Sequence, residues 1–245
     1  MIVNEGDDLS GDILVNRPLG FTVMRFDDLV QARVVERVNR FAVLIDIKGD
    51  RVMAHLHDPG RLKEVVYPGN SILVRRVNGS GLRWRIEFGN VSGRYVLIDS
   101  GIHSEIARMF LPENTEAEVR VGRKRLDFRH DDDYIEVKGC TLAVNGMAMF
   151  PDAPTKRGLE HLETLEDLAE SGYSSYILML IMRDDVSCFY PNFMTDPDFS
   201  RKFLEIVPKK LRSHFLTFKF DGNYLRYSGE ISMCSEKERI DALKC

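Results

Sequence analysis

The chain has 245 residues, enough for one large or two small domains, and its hydrophobic content of 44% is ample for a core. A formal net charge of −4 argues against a generic polycation, and no apolar run is long enough to span a membrane. The first five residues lack the basic region and apolar core of a signal peptide, so we expect a cytoplasmic protein.

The cysteines point to the same compartment. They are scattered without the spacing of metal ligands, which predicts reduced thiols in a reducing environment. They are Cys140, Cys188, Cys234 and Cys245.

Charge is distributed unevenly along the chain. Residues 1–23 carry four acids and one Arg, are rich in Gly and Pro, and form a predicted N-terminal extension. Residues 24–100 carry 13 Lys and Arg against 9 acids, whereas the remainder is acidic. Because a basic surface attracts phosphates in a salt-sensitive manner, the segment 24–100 is the candidate nucleic-acid-binding part.

Between residues 29 and 99 the pattern predicts short strands and one helical turn, at 61–66. The strands are 32–38, 41–47, 51–55, 71–77 and 82–88. Five short strands with one small helix suit an OB barrel. In the last of these strands Arg83 and Arg85 alternate with apolar residues, which favours a core position for Trp84 over base stacking. Gly89 to Gly93 is the predicted linker.

The second half alternates strands with helices. Predicted helices cover 102–110, 158–170 and 198–207, and predicted strands cover 94–99, 119–121, 125–129, 134–138, 143–150, 176–182, 214–220 and 224–227. The nearly all-apolar strand 176–182 is typical of the middle of an α/β sheet. We therefore predict an α/β fold with a β-barrel: an OB-fold at 24–90, an α/β domain at 91–232 and a tail at 233–245.

One predicted hairpin carries the chemistry. If it is centred between Asp131 and Asp132, Asp127 faces Glu136, and Lys138 lies two residues farther on the same face. Opposed residues have Cβ atoms about 4.5–5.5 Å apart, close enough for two carboxylates to hold one cation. The other face is apolar, and a one-residue slip would send the carboxylates into that core. The apolar residues are Leu126, Phe128, Ile135 and Val137.

This set suits a magnesium-dependent nuclease. Mg²⁺ takes oxygen ligands, usually one or two carboxylates with waters and substrate phosphate, so we predict Asp127 and Glu136 as ligands of Mg²⁺ or Mn²⁺. The ion would polarise a phosphodiester, and Lys138 would orient the attacking water or stabilise the developing charge. The alternative is a surface hairpin with ordinary cross-strand charge pairs.

Further motifs resemble a known family. The long run is Phe150-Pro151-Asp152-Ala153-Pro154-Thr155-Lys156-Arg157-Gly158-Leu159-Glu160-His161-Leu162, joined by Arg125-Leu126-Asp127-Phe128 and by Tyr134 to Lys138. Together they resemble the sugar fermentation stimulation protein A family over roughly residues 28 to 220. The resemblance implies an N-terminal OB-fold, a C-terminal restriction-endonuclease-like domain of the PD-(D/E)xK type, DNA binding without marked sequence specificity and a role in regulating sugar metabolism. Many members read His-x-Pro-Asn-Thr-Gly-Arg where this chain has His55-Leu56-His57-Asp58-Pro59-Gly60-Arg61.

The resemblance favours functional roles for several further residues. Thr155, Lys156 and Arg157 begin the 158–170 helix and form a predicted phosphate clamp, because helix N-termini attract anions. His161 would point toward substrate as a further catalytic residue, although a capped helix with a half-buried His is the alternative. Glu105, on the first helix of the second domain, is a third candidate metal ligand or a solvated charge.

Asp152, one loop cluster and the arginines of the OB-fold complete the candidate residues. Asp152 is a further ligand, a supporting acid or a turn cap. The cluster His55, His57 and Asp58 lacks further ligands for Zn²⁺, so a nucleic-acid contact or turn chemistry is favoured. The predicted nucleic-acid contacts of the OB-fold are Arg37, Arg40, Arg61, Arg83 and Arg85.

Two functions fit these features. The first is a protein that binds single- or double-stranded DNA and hydrolyses phosphodiesters with Mg²⁺. The second is a non-catalytic DNA-binding regulator of sugar metabolism genes that uses a nuclease-like fold as a platform. Clustered acids repel phosphate and serve no purpose in a pure binder, which favours the first. The sequence leaves the oligomeric state open, with a homo-oligomer among the options.

Overall fold

The computed structural model describes residues 12–58, 60–78, 81–207 and 209–244. Two β-sheets organise this part of the chain. Its first seven strands are β1 (Thr22–Arg25), β2 (Leu29–Asn39), β3 (Ala42–Ile47), β4 (Asp50–His55), β5 (Ser71–Arg76), β6 (Trp84–Val91) and β7 (Arg94–Leu97).

The elements that follow belong to the second half. The strands are β8 (Glu116–Val121), β9 (Lys124–His130), β10 (Asp133–Cys140), β11 (Ala143–Val144), β12 (Met147–Phe150), β13 (Ser174–Ile181), β14 (Cys188–Pro191), β15 (Arg212–Asp221) and β16 (Tyr224–Met233). The helices are α1 (His103–Arg108), which follows a turn of 3₁₀ helix (Ser100–Ile102), α2 (Lys156–Glu170), α3 (Pro197–Ile206) and α4 (Glu236–Lys244).

The N-terminal barrel is a six-stranded sheet of order β4-β3-β2-β5-β6-β7, closed by pairing of β4 with β6. Strands β3 and β5 alternate, which brings Val43, Ile45, Ile72 and Val74 into one fully buried core. The predicted OB-fold is therefore confirmed. Trp84 packs against this core, as expected.

The predicted linker at Gly89 to Gly93 is wrong. Strand β6 continues through Gly89, and a turn with positive φ at Ser92 and Gly93 leads directly into β7. Strand β7 then pairs with β6 between Phe88 and Leu97, so the barrel sheet extends beyond residue 90. At the other end β1 pairs with β16, so residues 22–25 join the second sheet rather than the barrel.

The second sheet has the order β11-β12-β14-β16-β15-β13-β10-β9-β8. Strand β13 lies in its middle, parallel to both β10 and β15, as the apolar run predicted. Its side chains alternate between two cores: Leu178 and Leu180 on one face, Ile177 and Met179 on the other. Helices α2 and α3 cover the second face, and Leu126, expected beside Phe128, is buried there instead.

The second half of the chain differs from the sequence-based prediction in three places. The single predicted strand at 143–150 is the β11–β12 hairpin, because Asn145 and Gly146 adopt the positive φ angles of a tight turn. Strand β14 was not predicted. The predicted tail contains α4, whose Ala242 carbonyl accepts a hydrogen bond of 2.7 Å from the side chain of Asn145.

The cysteine prediction is also wrong for two residues. Strands β14 and β16 run parallel in adjacent positions, which brings Cys188 close to Cys234, and the two form a disulfide. Cys140 is a buried free thiol, whereas Cys245 and the first eleven residues of the predicted extension lie outside the described residues. Among the described residues no helix has the length and apolarity needed to cross a membrane.

Candidate active site

The β9–β10 hairpin has the predicted register. Arg129 faces Tyr134 and Phe128 faces Ile135, so the next pair in this register is Asp127 with Glu136. Here the ladder of backbone bonds stops, and the Asp127 carboxylate accepts the Val137 N–H at 2.7 Å. That bond fixes the Asp127 side chain on the backbone of the residue that follows Glu136.

Glu136 is the centre of the polar cluster and is only 2% exposed. Its Oε1 accepts hydrogen bonds from Lys138 Nζ and from His161 Nδ1. Its Oε2 is buried and has no hydrogen-bond partner among the described residues. Burial alone would raise the pKa of Glu136, but the charge of Lys138 and the bond from His161 hold that pKa below its ordinary value. Glu136 is therefore a carboxylate with one oxygen held and one oxygen available.

His161 is positioned by both of its ring nitrogens. Arg157, one helical turn earlier on α2, donates from Nε to His161 Nε2 at 3.3 Å. The Nε2 atom is therefore an acceptor, and Nδ1 carries the proton donated to Glu136. The Lys138 ammonium lies 3.3 Å from the same Nδ1. His161 thus orients Glu136 from the helix side, and at 5% exposure it is buried rather than half-buried.

Asp127 differs electrostatically from Glu136. Burial, reinforced by the negative charge of Glu136, raises the pKa of Asp127 to about 6, against the pull of the Val137 bond and of Lys138. Two adjacent carboxylates, one of which has a raised pKa, mark a place that would gain from a cation. Cys140, two residues beyond Lys138, is no nucleophile, because burial raises the pKa of its thiol to about 12.

These side chains open into a cleft of about 390 Å³ between the two domains. Strand β10 and the start of α2 form one wall, and a loop of the barrel forms the other. The barrel loop contributes Asp58, Gly60 and Leu62, and Asp152 accepts the Leu62 N–H at 3.2 Å. Burial raises the pKa of Asp58 to about 6, with Asp152 adding to the effect.

The predicted helix-start residues take different positions. Thr155 caps α2, accepting the Gly158 N–H at 3.1 Å, and lines the cleft with Arg157. Lys156 is exposed and is not part of the cleft lining. Glu105 is likewise exposed outside the lining, because α1 buries Ile106 and Ala107 and so turns Glu105 to solvent.

The arginines predicted for the barrel are also divided. Arg40 lines the cleft. Arg37 donates to the Gly60 carbonyl at 2.8 Å and also to Arg61, so it anchors the barrel loop rather than facing a ligand. Arg85 contacts the fully buried Asp99 at 3.4 Å, whereas Arg83 and Arg61 are exposed.

The sequence reasoning missed one residue and left another undecided. Helix α1 brings His103, not Glu105, to the cleft, where its ring packs directly over Gly139. The glycine in Lys138-Gly139 was the available signal, because a Cβ at that position would meet the His103 ring. Asp152, left open between ligand and cap, joins the barrel loop to this wall.

The donor set of carboxylate oxygens suits a hard divalent cation rather than a softer metal that prefers thiolate or imidazole ligands. Within 12–58, 60–78, 81–207 and 209–244, no group of three or more His, Cys, Asp or Glu side chains surrounds a common point. Two carboxylates with an unpartnered buried oxygen nevertheless match Mg²⁺, which usually keeps several waters and takes the substrate phosphate as a ligand.

The structure defines a two-domain class of protein, in which a barrel of OB type is joined to an α/β sheet whose β9–β10 hairpin carries Asp127, Glu136 and Lys138. The comparisons identify the family. The domain described as "Sugar fermentation stimulation protein RE domain" matches residues 95–224, and the "SfsA N-terminal OB domain" matches residues 35–98. The chain therefore belongs to the sugar fermentation stimulation protein family, as the sequence motifs predicted.

Individual relatives agree with this assignment. A sugar fermentation stimulation protein homolog of Thermoplasma acidophilum is 67% identical over 213 residues, covering 87% of this chain and 96% of that protein. A homolog of Saccharolobus solfataricus is 44% identical over 88% of this chain and 90% of its own length. The solved structure of Pyrococcus furiosus SfsA in complex with Ca²⁺ superposes with a TM-score of 0.81 at 26% identity, covering 88% of this chain and all of that one.

Proposed function

We propose that this protein binds DNA without marked sequence preference and hydrolyses phosphodiesters with Mg²⁺ or Mn²⁺. The observation that carries the proposal is Glu136 Oε2, a buried carboxylate oxygen without a hydrogen-bond partner in the described chain, near enough to Asp127 for the charge of Glu136 to raise the pKa of Asp127. A buried acceptor left unpaired costs about 1–3 kcal/mol, more when charged, and a bound cation would remove that cost.

A relative supports the choice of ion. Pyrococcus furiosus SfsA was solved with Ca²⁺, which shares with Mg²⁺ a requirement for oxygen ligands. In this chain Asp127 and Glu136 would hold the ion, and their mutual repulsion would fall on binding. Glu105 is exposed and does not line the cleft, so the proposed ion does not include it as the third ligand that the sequence suggested.

When bound, the ion would polarise a phosphoryl oxygen and lower the pKa of a ligated water. The chain's own residues would supply the rest. His161 holds Glu136 by Oε1 and leaves Oε2 without a partner, so Oε2 is the atom that would ligate the ion. Lys138, 14% exposed at the cleft, would stabilise negative charge on the reacting phosphate. Arg157 and the free N–H groups at the start of α2 would bind an adjacent phosphate.

A second candidate is a DNA-binding regulator without turnover. It is favoured by the contacts of Lys138 and His161 with Glu136, which already compensate one carboxylate without any ion. In that case the cluster is a structural salt bridge at the base of a binding cleft. The two candidates share the DNA-binding surface and differ only in what the cleft does with a phosphodiester.

Cleavage of end-labelled single- and double-stranded DNA, with Mg²⁺, Mn²⁺ or EDTA, separates them. We expect metal-dependent cleavage by the wild type, a loss of about 10²–10³-fold in Lys138→Ala, and unchanged binding of DNA in EDTA by that variant. Lys237→Ala, on the exposed face of α4, is the matched control and should cleave like the wild type. A wild type that binds DNA but cleaves nothing with either metal would establish the regulator instead.

A further inference from the structure

The arginines of the barrel leave the route of DNA beyond the cleft unexplained. Arg37 is occupied by loop carbonyls and Arg85 contacts the buried Asp99. Part of the positive charge of the barrel is therefore engaged in contacts within the barrel and its loop. Arg61 and Arg83 remain exposed on the barrel, and the second domain offers a further basic surface.

A second groove, of about 650 Å³, lies beside α2 on the nuclease-like domain. Five of its eight lining residues are cations and one is an acid: Arg120, Arg123, Lys124, Arg125, Arg157 and Glu160. The acid is engaged by Lys124. On a chain whose formal net charge is −4, this concentration of positive charge is local and is not a reflection of overall composition.

The arginines of this groove lie close enough to repel one another in the folded protein. Arg120 on β8 and Arg125 on β9 face each other directly across the strand pair. Like charges in opposed positions are destabilising, by a fraction of a kcal/mol. Arg123 adds a third exposed charge in the turn between the same two strands. Glu118 relieves only one of the three, through a contact of 3.2 Å with Arg125 between two largely exposed side chains.

The groove is continuous with the candidate active site. Arg157 and His161 line both, so the cleft and the groove meet at the start of α2. Arg125 also lies only two residues before Asp127 on β9. A chain of phosphates held at the carboxylates would therefore pass Arg157 and enter a concave surface lined by guanidinium groups, which bind phosphate with two parallel hydrogen bonds.

We propose that the β8–β9 hairpin is a DNA-binding element, in which Arg120, Arg123 and Arg125 contact successive phosphates of a strand whose scissile phosphodiester lies at the ion that Asp127 and Glu136 would hold. The inference rests on the proposed function and adds the path of the substrate backbone to it. Contacts of this kind read no bases, so they agree with binding that lacks sequence preference.

The test is fluorescence anisotropy with labelled single-stranded and duplex DNA in EDTA, over a range of salt concentrations. The double variant Arg120→Glu/Arg123→Glu should bind more weakly at every salt concentration. The slope of log affinity against log salt should fall by about 0.7 per lost contact for single strands and about 0.9 for duplex. The matched control is Arg201→Glu/Lys237→Glu, which makes the same change in net charge at exposed positions of α3 and α4.

The control pair should keep the wild-type slope. If the two double variants lose affinity equally, or if neither changes the slope, the hairpin is not the phosphate-binding element. Arg120→Gln/Arg123→Gln repeats the test without charge reversal should the first variant misfold. Because no metal is present, the binding result does not depend on turnover. If the wild type never cleaves DNA with metal, and the hairpin variants nevertheless bind with a smaller salt dependence than the wild type, the nuclease proposal is refuted and this DNA-binding surface is retained.

Discussion

Replacing Asp127 by Asn should make the protein more stable at neutral and alkaline pH. In the folded protein burial and Glu136 raise the pKa of Asp127 to about 6, from an ordinary value of 3.8. The unfolded chain therefore loses its proton more readily than the folded protein does. The resulting destabilisation is absent below about pH 4, grows as the pH rises, and is complete above the folded pKa.

The size of this destabilisation follows from the difference between the folded and unfolded pKa of Asp127. About two pKa units correspond to about 3 kcal/mol in the free energy of unfolding, an upper value because the two carboxylates are coupled. Asn keeps a side-chain oxygen that can accept the Val137 N–H, so the substitution retains the hydrogen bond that Asp127 accepts within the described part of the chain. At about 2–4 °C per kcal/mol for a chain of this size, the melting temperature should rise by roughly 5–10 °C at pH 8.

Thermal melts followed by circular dichroism at pH 4 and pH 8, with EDTA or with Mg²⁺, would measure this. The increase in melting temperature caused by Asp127→Asn should be large at pH 8 and small at pH 4. Mg²⁺ should stabilise the wild type by binding the folded state, and should stabilise the variant much less. Asp131→Asn is the control, because Asp131 lies in the exposed turn of the same hairpin with its side chain 90% exposed. A variant that is less stable than the wild type at pH 8, or equally stabilised at both pH values, would refute the electrostatic argument.

Three further outcomes follow from packing and pairing. Gly139→Ala should lower the urea midpoint by an amount equivalent to about 1–3 kcal/mol because its Cβ would meet the His103 ring, and His103→Ala in the same background should recover part of the loss. Arg85→Glu should cost about 3–5 kcal/mol in urea unfolding, since it puts a carboxylate beside the fully buried Asp99 in place of the Arg85 guanidinium, whereas Arg83→Glu, at the exposed residue just before the same strand, should leave stability unchanged. Reducing the disulfide between β14 and the segment before α4 should lower stability by about 4 kcal/mol, the chain-entropy value for a sequence separation of 46, and unchanged melts with and without reductant would contradict this.

Local patterns determined much of the architecture. The register of the β9–β10 hairpin followed from its polar turn and from the need to keep carboxylates off the apolar face, and the structure has that register. The buried strand β13 and the capped helix α2 were likewise predictable, because an apolar run and a Thr cap act within a few residues of the chain. The error at 143–150 could have been avoided from the sequence alone, because Asn145-Gly146 is a typical hairpin turn.

Contacts between distant segments were decided only by the tertiary structure. No local rule places the His161 ring on Glu136, joins Cys188 to Cys234, or turns Glu105 to solvent while bringing His103 to the cleft. Each depends on how helices pack on the sheet and on which strands become neighbours, and these are properties of the whole core rather than of a window of sequence. The sequence by itself determined which residues could bind a cation and a phosphate. The packing of the barrel loop and of α2 against β10 determined which of them share one cleft.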